Sequence, residues 1–395
     1  MKELALRPTW VEIDLDALTS NYEEIRRIVG PDIKILGVVK ADAYGHGSLE
    51  CARTLCDAGA DMLAVAFIDE AIALRQGGIT EPILLLGFTA KEHIPDLVRW
   101  DVIPGVYQLD FAGELSDYCM EAGIRHPIHI KIDTGMGRIG IGWRDAAKEI
   151  DVMSQFEGIE IQGLYSHFSM ADATDKSYTN EQVQRYQQVA AELAEKNIHI
   201  PIKHMANSAG IFDVEGVHFD MVRPGIILYG LYPSTEVDRS KIDIKPVMTL
   251  KSTIVHLKTI QPGESVSYGN NFVATEDRLI GTLPIGYADG YTRMLNGIAK
   301  VWIAGQQVPV VGNICMDQCM IDLTDVDEVS LYDEVELFGN NISADILAAA
   351  LGTINYEITC MVNKRVPRVY LKDGVAQTIR RDILDRQINP NCDNY

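Results

Sequence analysis

The chain has 395 residues, 47% apolar and 23% charged, with 35 basic side chains against 56 acidic ones and a formal net charge of -21. Such a length predicts two domains. The apolar share is that of a water-soluble globular protein, and the acidic excess argues against nucleic-acid or anionic-membrane partners. No stretch is apolar enough for a membrane span, and the start Met1-Lys-Glu-Leu-Ala-Leu-Arg-Pro8 lacks the apolar centre of a signal peptide. Seven cysteines, an odd count with no C-x-x-C pair, predict reduced thiols in a cytoplasm and no zinc site.

A short strand-like run follows Trp10. Asp16 is positioned to cap a helix over 17–29, whose apolar residues recur at helical spacing. An alternation then begins. Apolar runs end near Lys40, Ala66, Gly87, Tyr107, Asp133, His167, Asn207 and Arg223, eight in all. Helical patterns separate them at 48–58, 69–76, 91–100, 110–122, 145–155, 179–196 and 208–212. Eight strands alternating with helices predict a (β/α)8 barrel over residues 1–243. An open doubly wound sheet is the other arrangement, and the chain lacks the G-x-G-x-x-G turn expected of it.

The texture changes after the polar segment Asp238-Arg-Ser-Lys-Ile-Asp-Ile-Lys-Pro246. β-rich runs at 247–260, 279–284, 300–304, 308–311, 320–323 and 334–338, broken by turn signals, predict a mainly-β domain over 244–395. A late helix is expected at 343–351, stopped by Gly352, and the polar tail after Gly374 is expected to be only partly ordered.

In a parallel barrel the C-terminal strand ends share one rim. That places Lys40 and Tyr44, Lys131 and Asp133 with Arg138, His167, Asn207 with Ser208, and Arg223 together. Each has a plain reading by itself: a strand-end lysine that reaches water, a core histidine, an N-cap, a Pro-Gly turn at Arg223-Pro-Gly225-Ile226. Jointly they offer an amine that apolar walls would make nucleophilic and two sets of backbone amides suited to a phosphate. Pyridoxal phosphate needs that pair, an amine for its aldehyde and a cradle for its phosphate. An arginine at its ring nitrogen would leave that nitrogen unprotonated.

Seven motifs then occur in order: Val39-Lys-Ala-Asp-Ala-Tyr-Gly-His-Gly47, Lys131-Ile-Asp-Thr-Gly-Met-Gly-Arg-Ile-Gly140, Ser166-His-Phe-Ser-Met-Ala-Asp172, Met221-Val-Arg-Pro-Gly-Ile226, Val266-Ser-Tyr-Gly269, Pro284-Ile-Gly-Tyr-Ala-Asp-Gly290 and Gly312-Asn-Ile-Cys-Met-Asp317. From about Pro8 to Gly374 the chain resembles the bacterial alanine racemases. The resemblance implies a cytoplasmic, pyridoxal-phosphate-dependent isomerase, a head-to-tail homodimer that interconverts L- and D-alanine and supplies D-alanine for the cell wall. It implies a Schiff base at Lys40, and cofactor contacts from Tyr44, Asn207, Ser208, Gly225, Ile226 and Tyr356. Arg223 would face the pyridine nitrogen beside His167. Arg138 would reach the ring oxygen and the substrate carboxylate, and Lys131 could be carbamylated to pair with it. Met316 would offer its amide to the substrate from the neighbouring subunit. Inverting a stereocentre calls for two bases on opposite faces. Lys40 would serve the D-side and Tyr268, from the other subunit, the L-side, assisted by His167 and Arg223. The competing readings are a cofactor carrier, a Schiff-base aldolase, a broader racemase and a related decarboxylase. A carrier or an aldolase would not need the β-rich third, exported broad racemases would need a signal, and the decarboxylase would not share the motifs in order.

Overall fold

A computed structural model describes residues 7–385. Contacts divide it into two units, one of Leu18–Ala43 and Gly47–Lys245, the other of the residues through Ala17, Tyr44–His46 and the residues from Pro246 on.

The first unit is a closed eight-stranded parallel barrel. Its strands in chain order are Lys34–Val38, Met62–Val65, Ile83–Leu85, Val102–Val106, His126–Asp133, Ile159–Tyr165, Ile202–His204 and Met221–Val222. Each pairs with the next, and the ring closes where Met221 and Val222 meet Lys34 and Ile35. All eight runs expected from the sequence are therefore strands of this barrel. Short runs such as Met62–Val65 and Ile83–Leu85 are buried throughout, as strands covered on both faces must be. The helix expected over 91–100 forms as a 3-10 turn, Lys91–His93, followed by Ile94–Arg99. Pro95 lies in the first turn of the second piece, where its missing N–H costs nothing.

The second unit is built on a ten-stranded, mostly antiparallel sheet. The run after Trp10 is the strand Thr9–Asp14, which pairs with Met248–Thr253 and Arg368–Lys372 in this sheet. The helix after it is Leu15–Val29, and its cap differs from the expectation. Asp14, not Asp16, accepts the Ala17 N–H at 2.9 Å, because the helix starts at Leu15, two residues earlier than expected. Asp16 instead accepts the Asp373 N–H. The run expected over 247–260 is two strands, Met248–Thr253 and His256–Ile260. Between them the chain leaves Glu334–Phe338 for Arg278–Leu283 as a partner. Helix Ala344–Leu351 is capped by Ser343 and stops at left-handed Gly352, as its sequence signals. The tail after Gly374 is ordered further than expected: Val375–Arg380 hydrogen-bonds to Arg368–Lys372. A short helix, Asp382–Asp385, follows, and the residues beyond it, Cys392 included, lie outside the described residues. The six described cysteines are free thiols.

Candidate active site

The first barrel strand leads through Val39 into Lys40 and then into a left-handed turn. Ala41, Asp42, Ala43 and Tyr44 have φ values of 53° to 54°. For residues with a Cβ this costs about 1–2 kcal/mol each, so the turn persists only because its surroundings dictate it. Glu70 accepts the Ala41 N–H at 2.6 Å and the Ala66 N–H at 2.7 Å. The Asp42 carboxylate accepts the Ser48 N–H at 2.9 Å, and the Ala43 N–H reaches the Val39 carbonyl at 2.9 Å. The base of Lys40 is thereby anchored while its side chain stays half-buried.

Strand periodicity assembles the rest of the barrel site. Successive strand residues point to opposite faces, so His129, Lys131 and Asp133 share one side of their strand, as do Gly163 and Tyr165 on theirs. Arg223, 3% exposed, is the centre of the group. Its guanidinium donates to His204 Nδ1 at 2.9 Å, to the Ser166 and Met205 carbonyls at 2.6 and 3.1 Å, and to His167 Nδ1 at 3.3 Å. Tyr165 stacks in parallel on His204 at 5.0 Å, and its ring faces Lys131 Nζ at 5.4 Å and the Arg223 guanidinium carbon at 5.5 Å.

The electrostatics follow from burial and crowding. Lys131 is brought down to about 7 by desolvation first, then by Arg138, Arg223 and Lys40, with Asp133 opposing. Desolvation, with Arg223, Arg138, Lys131 and Lys40, holds His167 well below the imidazole range and hence neutral. Burial lowers Arg223 to about 10, which still leaves it a cation at neutral pH. Lys40, Lys131, Arg138, His167 and Arg223 thus gather on one rim, as their strand-end positions imply, and Asp133 is the carboxylate opposing them. Asp133 is also occupied with the loop after it, accepting the Gly135 N–H at 2.9 Å and the Gly137 N–H at 3.1 Å.

Asn207 acts as an N-cap, its Oδ1 accepting the Gly210 N–H at 3.0 Å. The buried Ser208 hydroxyl accepts the Gly225 N–H at 3.0 Å, which joins the two candidate phosphate segments. Gly225 and Ile226 open the 3-10 turn Ile226–Tyr229.

The other candidates lie in the β unit. Tyr44 and Tyr356 face each other with ring centroids 5.9 Å apart. Arg368 fixes this pair. Fully buried, it donates to the carbonyls of Gly45, Val362, Asn363 and Val366 at 2.9–3.2 Å. Gly45 runs so close to Thr359 that a Cβ there would overlap the Thr359 carbonyl. The two remaining candidates sit on facing loops. Asn313 donates to the Tyr268 carbonyl at 2.5 Å, and Ser267, at φ 68°, donates to the Asn313 carbonyl at 2.7 Å. The Tyr268 side chain is 72% exposed and Met316 53% exposed.

Sequence reasoning missed Tyr165, His129, His204 and Arg368. The first two were available from the i, i+2 rule, since they share the inward face of their strands with Lys131 and Gly163. Arg368 carried no motif: three of its carbonyl partners lie within six residues of it, and the fourth, Gly45, is brought to it only by folding.

The alanine racemase N-terminal domain model matches residues 13–233 and the alanine racemase C-terminal domain model matches residues 247–370. Alanine racemase 1 of Clostridium acetobutylicum is 48% identical over 95% of this chain and 98% of its own. Among solved structures, the alanine racemase of Clostridium difficile 630 superposes with a TM-score of 0.91 at 43% identity, covering 95% of this chain and 98% of that one. The alanine racemase from Bacillus anthracis with bound L-Ala-P gives 0.90 at 36% identity, covering 96% and 99%. With both domain models matched in order across a barrel and a β unit of the expected kinds, the chain belongs to the alanine racemase family of isomerases.

Proposed function

We propose that this protein interconverts L- and D-alanine with pyridoxal phosphate held at Lys40, and that the D-alanine serves peptidoglycan synthesis in the cytoplasm. The observation that carries the cofactor assignment is Arg223, buried, cationic and hydrogen-bonded to two imidazoles amid Lys40, Lys131 and Arg138. A buried surplus of positive charge is costly, and an anionic cofactor relieves it. The donor set fits that group: a lysine for the aldehyde, Ser208 with the Gly225 and Ile226 backbone for the phosphate, and an arginine for the ring nitrogen. Asn207 supports the phosphate segment as its N-cap, and Tyr44 and Tyr356 supply phenols for the same phosphate. Bound at Lys40, pyridoxal phosphate draws electrons from the amino acid's Cα and makes its proton removable.

The chain's own residues supply the rest. Arg138 and the Met316 amide bind the substrate carboxylate. Lys40 removes or delivers the Cα proton on the D-side, and Tyr268 does so on the L-side. A phenol near ~10 is a weak base at neutral pH, and the line Tyr268, His167, Arg223 assists it. The exposure of Tyr268 and Met316 in one chain supports their use in the partner subunit of a homodimer. Lys131, neutral in part near pH 7, can add carbon dioxide: the amine forms an N–C bond and releases a proton. The resulting carbamate anion pairs with Arg138.

The test is an absorption spectrum of the purified protein, borohydride reduction with peptide mapping, and loss of L-alanine optical rotation. An internal-imine band, label on Lys40 and drift to racemate are expected. Racemisation with no label on Lys40 would overturn the assignment.

A further inference from the structure

Beneath Arg223 the barrel interior is polar where barrels of this kind usually stack branched apolar residues. Arg223 Nη1 donates to His204 Nδ1 at 2.9 Å, and His204 Nε2 lies 2.9 Å from His129 Nδ1. All three residues are buried. The direction of this line follows from its first member. Arg223 has only donors. His204 must therefore keep a lone pair on Nδ1 and carry its proton on Nε2. That proton points at His129, which must keep its own lone pair on Nδ1 and its proton on Nε2. The Gln162 side chain neighbours the His129 ring and also lines a cavity of about 250 Å3 at the N-terminal strand ends, with Lys34, Met62, Pro127 and Ile202.

We propose that His129 is a positioning residue for Arg223, acting through His204 to hold the guanidinium where the ring nitrogen of the cofactor would meet it. The proposal rests on the role given to Arg223 above. The backbone is shaped for this line. Gly163 has no left-handed φ to explain it, yet a Cβ there would overlap the His129 ring. The next inward position holds Tyr165, which packs flat on His204. Burial keeps both imidazoles uncharged, His129 at about 4 and His204 well below its ordinary range, so each remains an acceptor. A protonated imidazole at either place would lose that acceptor and repel Arg223. A packing role alone would be met more cheaply by apolar side chains, since buried polar groups are costly unless paired.

The experiment uses the full chain. Long-range 1H–15N spectra of the cofactor-free protein should show His204 and His129 as Nε2–H tautomers from pH 6 to 8. In His129→Leu the His204 Nε2–H loses its acceptor. The His204 Nε2–H signal should shift while Arg223 still holds that tautomer, kcat should fall about tenfold with KM within about twofold, and the absorption maximum of the bound cofactor should move. His129→Gln, which restores an acceptor, should recover most of kcat. A wild-type His204 in the Nδ1–H form, or a His204 Nε2–H signal and kcat unchanged in His129→Leu with only a lower melting temperature, would overturn the relay. A shifted Nε2–H signal with kcat and cofactor spectrum unchanged would overturn the proposal instead through the role given to Arg223.

Discussion

Arg223 and Tyr268 are held in opposite ways. Arg223 spends its guanidinium protons on two imidazoles and two carbonyls inside the barrel, so one chain already dictates where it points. Tyr268 is fixed through its backbone carbonyl and its left-handed neighbour Ser267, while its ring stands in solvent. The first kind of residue has its geometry before any ligand or partner arrives. The second has a fixed anchor and a free tip, which suits a group whose work lies on another surface. On the proposed function, the barrel would carry binding and polarisation in a preformed buried set, and the β unit would present its candidate base on a loop anchored through its backbone.

The contrast can be broken in order of effect. Lys40→Ala should abolish cofactor attachment and reduce racemisation by more than about 10³-fold, read by the absorption band and by polarimetry. Retained turnover would remove Lys40 from the chemistry. Tyr268→Phe should leave the cofactor band in place but lower kcat by about 10²–10⁴-fold. Loss of the band as well would mean that the exposed loop supports the barrel site and does not serve as a base. Gly163→Ala should destabilise the protein by about 1–3 kcal/mol through overlap with His129, measured by urea denaturation, and an unchanged midpoint would deny the tight seating of that ring.

Lys131 gives the smallest effect and sharpens the barrel side. Its folded value of about 7 lies below the ordinary 10.5. Between those values the unfolded chain binds the extra proton, so this residue makes stability rise with pH across about 7 to 10.5. Lys131→Met should raise the melting temperature by a few degrees at pH 7 and below in carbonate-free buffer, and the gain should fade toward pH 10.5. A gain that does not depend on pH would mean that Lys131 titrates normally.

What could be read from the chain alone is local and periodic. Eight apolar runs with helices between them predict the barrel, because a strand buried on both faces has no polar alternation and parallel strands need helical crossovers. Lys40, Lys131, His167 and Arg223 could be placed on one rim because strand ends in such a barrel face one way. The cap at Asp14 and the pairing of Val375–Arg380 with the preceding strand Arg368–Lys372 are local, but the handover between Met248–Thr253 and His256–Ile260 depended on partners far along the chain. So did the contact of Arg368 with the Gly45 carbonyl, which forms only on folding. The left-handed turn after Lys40 is the sharpest case. No local preference favours four such residues in a row, and Glu70 holds its start through a hydrogen bond that exists only in the tertiary structure, while Asp42 closes it locally on Ser48.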